Sequence, residues 1–378
     1  MKETFIWTEK TVHGNMIIYK DKRYKFVEWF NEETGFLMRS NIIENGQETL
    51  VTPSKRSYPE LIDIGIMGTC SACEQGLCKA AGVDCYQNAS KNKRPNMSFE
   101  IFKSIIEQSI GKTFQIALGG AGDPNKHKCF GDMLELARRN HIVPNLTTSG
   151  YDITNEEIRL IKKYCGAVAV SFYSRLRSDG HESNVTTIEA IQRLINAGCV
   201  TNIHYVVSKD TIDEIIYRLE HNIFPKGLNA CVFLLYKPAG QGNPQKMLHI
   251  NDAVYQKFIS LATSKRFDFK IGFDSCQTPA LKAYGNMIAE ESLEYCESAR
   301  FSMYIDCENQ AYPCSFGWNE DKYRVDLNSN TILGAWNSEQ FKLFLSKQKK
   351  QCLLCNQNEC RNCALDLRID MCPKLLIN

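Results

Sequence analysis

Residues 61–89, LIDIGIMGTCSACEQGLCKAAGVDCYQNA, constrain this chain more than any other stretch. They open as a buried strand, because Ile62, Ile64, Ile66 and Met67 are apolar and β-favouring. Four cysteines then fall within sixteen residues: Cys70, Cys73, Cys78 and Cys85. Thiolates this dense, separated by glycines, can fold around a metal. Soft sulfur ligands select zinc, copper(I) or iron–sulfur clusters. A zinc ribbon needs a second cysteine pair at matching spacing, and none follows within the next forty residues. A cluster with three protein thiolates and one open iron fits better. Buried structural cysteines are the plainer alternative.

Composition narrows the classes further. A chain of 378 residues suits a large domain joined to a smaller one. A formal net charge of +2 gives no strong field for nucleic acid. No run of eighteen apolar residues exists, so no membrane span is expected. The start, MKETFIWTEKTVHGN, has no apolar core and no small-residue cleavage site, unlike a signal peptide. The chain is therefore expected to be cytoplasmic, where structural disulfides are rare. Its seventeen cysteines then call for metal sites. Cys129, Cys165, Cys199 and Cys231 stand alone in apolar strand and helix patterns and read as packing residues. Nine more crowd the last third: Cys276, Cys296, Cys307, Cys314, Cys352, Cys355, Cys360, Cys363 and Cys372.

In chain order, residues 1–60 read as a β-rich leader, with NEETG as a turn before FLMRS. From residue 61 strands alternate with helices. The expected strands are 61–67, 113–118, 142–147, 166–171, 199–207 and 228–235, and a further one at 267–273. Amphipathic helices lie near 98–110, 129–140, 154–164, 185–197, 210–222 and 252–265, the first opening on a Ser98 cap. This alternation implies a parallel sheet with right-handed crossovers. Six units suit an α/β fold with a partial (β/α)6 barrel over residues 61–275, followed by a cysteine-rich extension over 276–378.

Ligands in such folds sit at the C-terminal ends of the strands. Cys70 stands there after the first strand. After the second comes Gly119-Gly120-Ala121-Gly122-Asp123-Pro124; after the third, Thr147-Thr148-Ser149-Gly150; the fourth ends at Ser171. The fifth carries Asn202 and His204, and the sixth runs into Tyr236-Lys237-Pro238-Ala239-Gly240. Each alone is ordinary loop chemistry. Together, one polar group per strand end around a cysteine cluster describes a cofactor pocket.

Cysteines after the first strand, Cys85 followed by Tyr86, a Gly-Gly-x-x-Asp-Pro turn and a partial barrel resemble the radical S-adenosylmethionine (radical SAM) superfamily over about residues 61–275. The resemblance implies a [4Fe–4S] cluster on three cysteines. It also implies S-adenosylmethionine on the open iron, an electron donor such as flavodoxin or ferredoxin, and a 5′-deoxyadenosyl radical that abstracts a substrate hydrogen. The family spacing is Cys-x3-Cys-x2-Cys, whereas the gaps here are two, four and six residues. Cys70, Cys78 and Cys85 match the pattern by position, with Cys73 as the spare; Cys70, Cys73 and Cys78 form the other triple. Carried over by position, Gly119, Gly120 and Asp123 face the amino group of S-adenosylmethionine. Ser149, Ser171, Asn202 and His204 line its ribose and carboxylate side, and Leu235 meets the adenine.

The last third resembles a SPASM domain, the auxiliary-cluster module of radical SAM enzymes that modify peptides and proteins. A short hairpin, FSMYIDCENQAYP, precedes Cys314, and Cys-x2-Cys-x4-Cys-x2-Cys-x8-Cys runs from Cys352 to Cys372. The family has five and three where this chain has four and two. By analogy Cys276, Cys296, Cys314 and Cys363 bind one auxiliary cluster, and Cys352, Cys355, Cys360 and Cys372 a second. Cys307 is left over and is expected to face solvent on the hairpin. A zinc ribbon is the competing reading, because two Cys-x2-Cys pairs also suit tetrahedral zinc.

The resemblance implies oxidative modification of a peptide or small-protein side chain: a cross-link, an epimer or a dehydrogenated residue. A small-molecule radical SAM dehydrogenase is the alternative enzyme. A non-catalytic iron–sulfur electron carrier or regulator is the alternative without chemistry. A complete strand-end pocket favours an enzyme, because a carrier has no use for it. Asp274, at a strand end just before Cys276, is the candidate general acid or base.

Overall fold

The computed structural model describes residues 4–350 apart from 12–13, 42, 45–46, 49–54, 250, 287, 290–291, 294–295 and 319. Cys352, Cys355, Cys360, Cys363 and Cys372 lie outside the described residues. The leader forms an antiparallel sheet of β1 (Thr4–Thr11), β2 (Gly14–Asp21), β3 (Phe26–Asn31) and β4 (Leu37–Asn41), in that order. The NEETG segment makes the turn into β4, with Gly35 at φ +71°, a left-handed conformation that favours glycine. A two-stranded piece, β5 (Ile43–Glu44) with β6 (Gln47–Glu48), follows.

The barrel strands are β7 (Leu61–Met67), β8 (Gln115–Gly120), β9 (Val143–Thr148), β10 (Val168–Ser171), β11 (Thr201–Val207), β12 (Ala230–Leu235) and β13 (Lys270–Phe273). They are parallel neighbours in sequence order, the arrangement successive right-handed crossovers produce. The crossover helices are α3 (Phe99–Ser109), α4 (Phe130–Arg139), α5 (Asn155–Tyr164), α6 (Val185–Asn196), α7 (Ile212–His221) and α8 (Ala253–Ser264), after the short α1 (Ser71–Glu74) and α2 (Leu77–Ala80). Expected and observed elements agree to within a few residues. Ser98 caps α3 by accepting from the Ile101 amide at 3.2 Å. Thr154 and Glu157 form a reciprocal capping box on α5. Along α3 the buried residues Phe102, Ile105, Ile106 and Ser109 recur at helical spacing, and the three apolar ones share one core with Ile62, Ile64 and Ile66 of β7. Cys231 is buried in that core, and Cys129, Cys165 and Cys199 pack against it.

The sheet does not stop at the barrel. Within the cysteine-rich third, α9 (Thr278–Tyr284) leads to the expected hairpin, β14 (Ser302–Ile305) with β15 (Gln310–Tyr312), followed by β16 (Val325–Asp326), α10 (Ile332–Trp336) and α11 (Glu339–Lys350). β14 pairs in parallel with β7, opposing Tyr304 to Asp63, so the described sheet has ten strands and two free ends. Cys307 departs from expectation. It is only 3 % exposed, because the chain leaving β14 turns inward beside Arg94, whose guanidinium pairs with Asp306 at 2.9 Å. No described helix is long and apolar enough to cross a membrane.

The leader packs on the far end of the barrel from Cys70. Ile17, Tyr19 and Phe30 meet Phe114 and Val143, with Phe30 and Phe114 stacked at 5.0 Å. Charge is buried at this seam. Arg56 lies 3.5 Å from the Tyr19 ring centroid, with its Nε 2.8 Å from Glu28, and both side chains are fully enclosed. Arg39 holds Glu28 at 3.1 Å and Glu60 at 2.7 Å. Burial and the neighbouring Glu28 carboxylate push the Glu60 carboxyl well above the usual range. Replacing Arg56 with Ala leaves Glu28 buried beside Arg39 alone. Urea unfolding should show a loss of about 3 kcal/mol, the scale for breaking a buried ion pair. A loss below about 1 kcal/mol would mean that the seam relaxes freely or admits water.

Candidate functional site

The β7 strand delivers Cys70 to the mouth of the barrel as the N-cap of α1, its Sγ accepting from the Cys73 amide at 3.2 Å. Glycines shape the neighbouring edge. Gly120 sits at φ +117°, and a Cβ there would lie 2.8 Å from the Met67 carbonyl oxygen, so β8 closes on β7 only without a side chain. A Cβ on Gly122 would lie 2.0 Å from the Thr69 carbonyl oxygen, which fixes the turn directly under Cys70. Cys85 arrives on the loop after α2, and the Ala89 amide points at its sulfur from 3.5 Å.

These four thiols share one neighbourhood. Cys70 feels the charge of Cys73 and Cys78, and both Cys73 and Cys78 feel Cys85. Burial pushes the Cys70 thiol up to about 12 and the Cys78 thiol up to about 11, with Tyr173 hydrogen-bonded to Cys78. Enclosed thiols of this kind become thiolates only against a positive centre, and bound metal supplies one. Among the described residues, no three His, Cys, Asp or Glu side chains are grouped as a single-ion site requires. The donor set, soft sulfur on a glycine-rich mouth, fits an iron–sulfur cluster.

A cavity of about 450 Å³ opens beside them at the C-terminal ends of the strands. Cys70, Cys78 and Cys85 line it, and Cys73 does not. Gly119, Gly120, Asp123, Ser149, Ser171, His204 and Leu235 line it as well. Asn202 does not: it sits two residues before His204 on β11, where its side chain accepts from the Asn229 amide at 2.7 Å. Asp123 is already engaged, taking the Ser149 amide at 2.6 Å and its hydroxyl at 2.5 Å. Burial raises its carboxyl above the usual range. The His204 imidazole is pulled down to about 4 by burial, against the pull of Asp274, so it stands neutral in the cavity wall.

A second cavity of about 220 Å³ lies behind the first. Cys276, Cys296 and Cys314 meet there, although they are 38 residues apart in the chain. Cys296 feels both of the others, and burial pushes its thiol up to about 12 and that of Cys314 up to about 11. Asp274 lines this cavity and not the first. Its carboxylate accepts from Lys237 Nζ at 2.5 Å, from the Leu235 amide at 3.2 Å and from Gln277 at 3.2 Å.

Among the described residues, three belong to both cavities: Asp63, Lys237 and Phe316. They form the partition. The Lys237 ammonium sits 4.5 Å from the Phe316 ring centroid, and Tyr86, next to Cys85, packs against that ring at 4.9 Å. Sequence reasoning places Lys237 at the end of the sixth strand and Tyr86 in the motif after Cys85, but gives Asp63 and Phe316 no role. Asp63 carries a readable signal, a lone carboxylate in the otherwise apolar LIDIGIM strand. Phe316 carries none, because its contact spans the chain.

No family model and no curated protein matches the sequence. Solved structures do match in fold. Streptococcus suis SuiB, crystallised with its precursor peptide SuiA, superposes with a TM-score of 0.64 at 12 % identity, over 97 % of this chain and 93 % of SuiB. The chain has the radical SAM fold. SuiB bound to S-adenosylmethionine gives a TM-score of 0.61 at 15 % identity, over 83 % of this chain and 73 % of that one. Native anSMEcpe, bound to S-adenosylmethionine and a Cp18Cys peptide, gives 0.55 at 17 % identity, over 78 % of this chain and 86 % of its own. The radical SAM fold accounts for the open-ended parallel sheet and for a cavity at the ends of β7 to β12.

Proposed function

We propose that this chain is a radical SAM enzyme that oxidatively modifies a peptide or protein side chain. The observation that carries the reading is the continuity of the Cys70, Cys78 and Cys85 thiols with a strand-end cavity of about 450 Å³. When bound, a [4Fe–4S] cluster and S-adenosylmethionine supply a 5′-deoxyadenosyl radical. The chain's own residues do the rest. The Gly119–Gly120 edge lets a ligand approach the backbone, Ser149 holds Asp123 in place, and neutral His204 and Leu235 close the floor. Cys276, Cys296 and Cys314 hold an auxiliary cluster, with Cys363 as its fourth ligand. Cys352, Cys355, Cys360 and Cys372 hold a second.

The peptide complexes of SuiB and anSMEcpe support a peptide substrate over a metabolite. Cytoplasmic placement and an electron donor such as flavodoxin or ferredoxin complete the reading. The test is anaerobic incubation of the reconstituted protein with S-adenosylmethionine, a reductant and a panel of synthetic small peptides, drawn first from any short cysteine-rich or repetitive peptide encoded next to this gene. The expected results are 5′-deoxyadenosine and a peptide lighter by two hydrogens per event, about two mass units. Absence of deoxyadenosine from cluster-loaded protein would rule the enzyme out. An unchanged peptide beside rapid turnover of a sugar or amino acid would make it a small-molecule dehydrogenase.

A further inference from the structure

The carboxylates lining the two cavities are Asp63, Asp84 and Asp123 in the first, and Asp63, Asp274 and Glu297 in the second. Asp84 accepts from the Tyr236 hydroxyl at 2.6 Å and pairs with Lys246 at 3.1 Å. Asp123 is held by Ser149, and Asp274 by Lys237, the Leu235 amide and Gln277. Glu297 lies 3.4 Å from Arg39. Asp63 alone has no hydrogen bond or ion pair among the described residues. It is also the carboxylate that faces both spaces.

Its setting is built to keep it so. Ala117 of β8 flanks it on one side and Tyr304 of β14 on the other, by strand register. On the same face of β7, Gly65 leaves room for the Tyr304 hydroxyl, which a Cβ would meet at 2.4 Å. That hydroxyl accepts from Gln87 at 3.3 Å. Tyr86 approaches from the loop after Cys85, and Lys237, from beyond β12, is drawn to Asp274 instead. A carboxylate with open acceptor sites on the wall between a radical-generating cavity and an auxiliary-cluster cavity is placed to receive a proton.

We infer that Asp63 is the residue that takes the substrate's proton when the substrate radical is oxidised; this rests on the peptide-oxidation reading above. The balance is as follows. Homolysis of a substrate C–H bond sends the hydrogen to the deoxyadenosyl carbon, giving 5′-deoxyadenosine. The substrate radical then loses one electron to a one-electron acceptor of the iron–sulfur class beside Cys276, Cys296 and Cys314. It loses one proton, from an adjacent N–H, O–H, S–H or ring C–H, to Asp63. The net result is loss of two hydrogens and formation of one new bond.

The experiment uses full-length, reconstituted protein, Asp63→Asn and Asp63→Glu made in parallel, and the synthetic peptide that the wild-type protein modifies in the test above. Deoxyadenosine and modified peptide are both quantified, and the reaction is frozen for electron paramagnetic resonance. In Asp63→Asn the ratio of deoxyadenosine to product should rise at least about tenfold, within the range a general base contributes. An organic radical on the peptide should build up, and Asp63→Glu should recover part of the coupling. If only one variant folds, its ratio decides. An unchanged ratio with no added radical would overturn the assignment while leaving the proposed function standing. Wild-type protein that forms no deoxyadenosine would remove both, and the two failures are distinct because no ratio then exists.

Discussion

A Cys85→Ala protein is expected to form 5′-deoxyadenosine only at background, whereas a Cys73→Ala protein should retain measurable cleavage. Both sulfurs lie in the same cluster of thiols, so proximity does not separate them. Their relation to the cavity does. Cys70, Cys78 and Cys85 border the space in which a ligand would sit, and Cys73 does not line it. A cluster whose open iron must face that space needs its three thiolates around the rim. Removing one exposes iron to solvent and oxidants, and the remaining thiols then follow the ordinary oxidation ladder. The measurement is deoxyadenosine per chain, with iron content and visible absorbance taken on the same samples. Iron belonging to the auxiliary sites should persist in Cys85→Ala. Equal loss of cleavage from both variants would move the ligand set to Cys70, Cys73 and Cys78.

The barrel was legible because each of its signals is local. Apolar runs of four to eight residues gave β7 to β12, helical spacing gave α3 to α8, and Ser98 and Thr154 announced their helices. Strand-end logic then brought Gly119, Gly120, Asp123, Ser149, Ser171, His204 and Leu235 to one cavity. It misplaced Asn202 because a strand alternates. Asn202 and His204 share a face of β11, yet only His204, the nearer of the two to the strand's C-terminal end, lines the cavity. Cys307, left over from the cluster pattern, reads from sequence as facing solvent on the hairpin, but it is buried near Arg94, more than two hundred residues earlier. The partition was least legible. Asp63, Lys237 and Phe316 come from β7, the loop after β12 and the turn after Cys314, and no sequence period links them. Asp274 was singled out for standing beside Cys276. The fold instead uses its oxygens to anchor Lys237 and the end of β12.

Cys314→Ala should uncouple hydrogen abstraction from product. Cys276, Cys296 and Cys314 come from three separate segments, and their meeting in one cavity is the tertiary feature that most needs a ligand to explain it. Burial makes each of Cys296 and Cys314 a poor thiolate by itself, so leaving them together without metal gains nothing electrostatic. Asp63, Lys237 and Phe316 line both this space and the first cavity, so the proposed acceptor adjoins the place where a substrate radical would be held. With the acceptor's ligands reduced to Cys276 and Cys296 in the described region, the radical has nowhere to send its electron. It should then be quenched by a hydrogen donor and return as unmodified peptide. Three measurements on one preparation test this: iron per chain, deoxyadenosine per minute, and the fraction of peptide lighter by about two mass units. Iron should fall, the lighter peptide should fall with it, and deoxyadenosine should fall least. Modified peptide formed at the wild-type rate from iron-depleted Cys314→Ala would show that the second cavity is structural. The electron would then leave by another route.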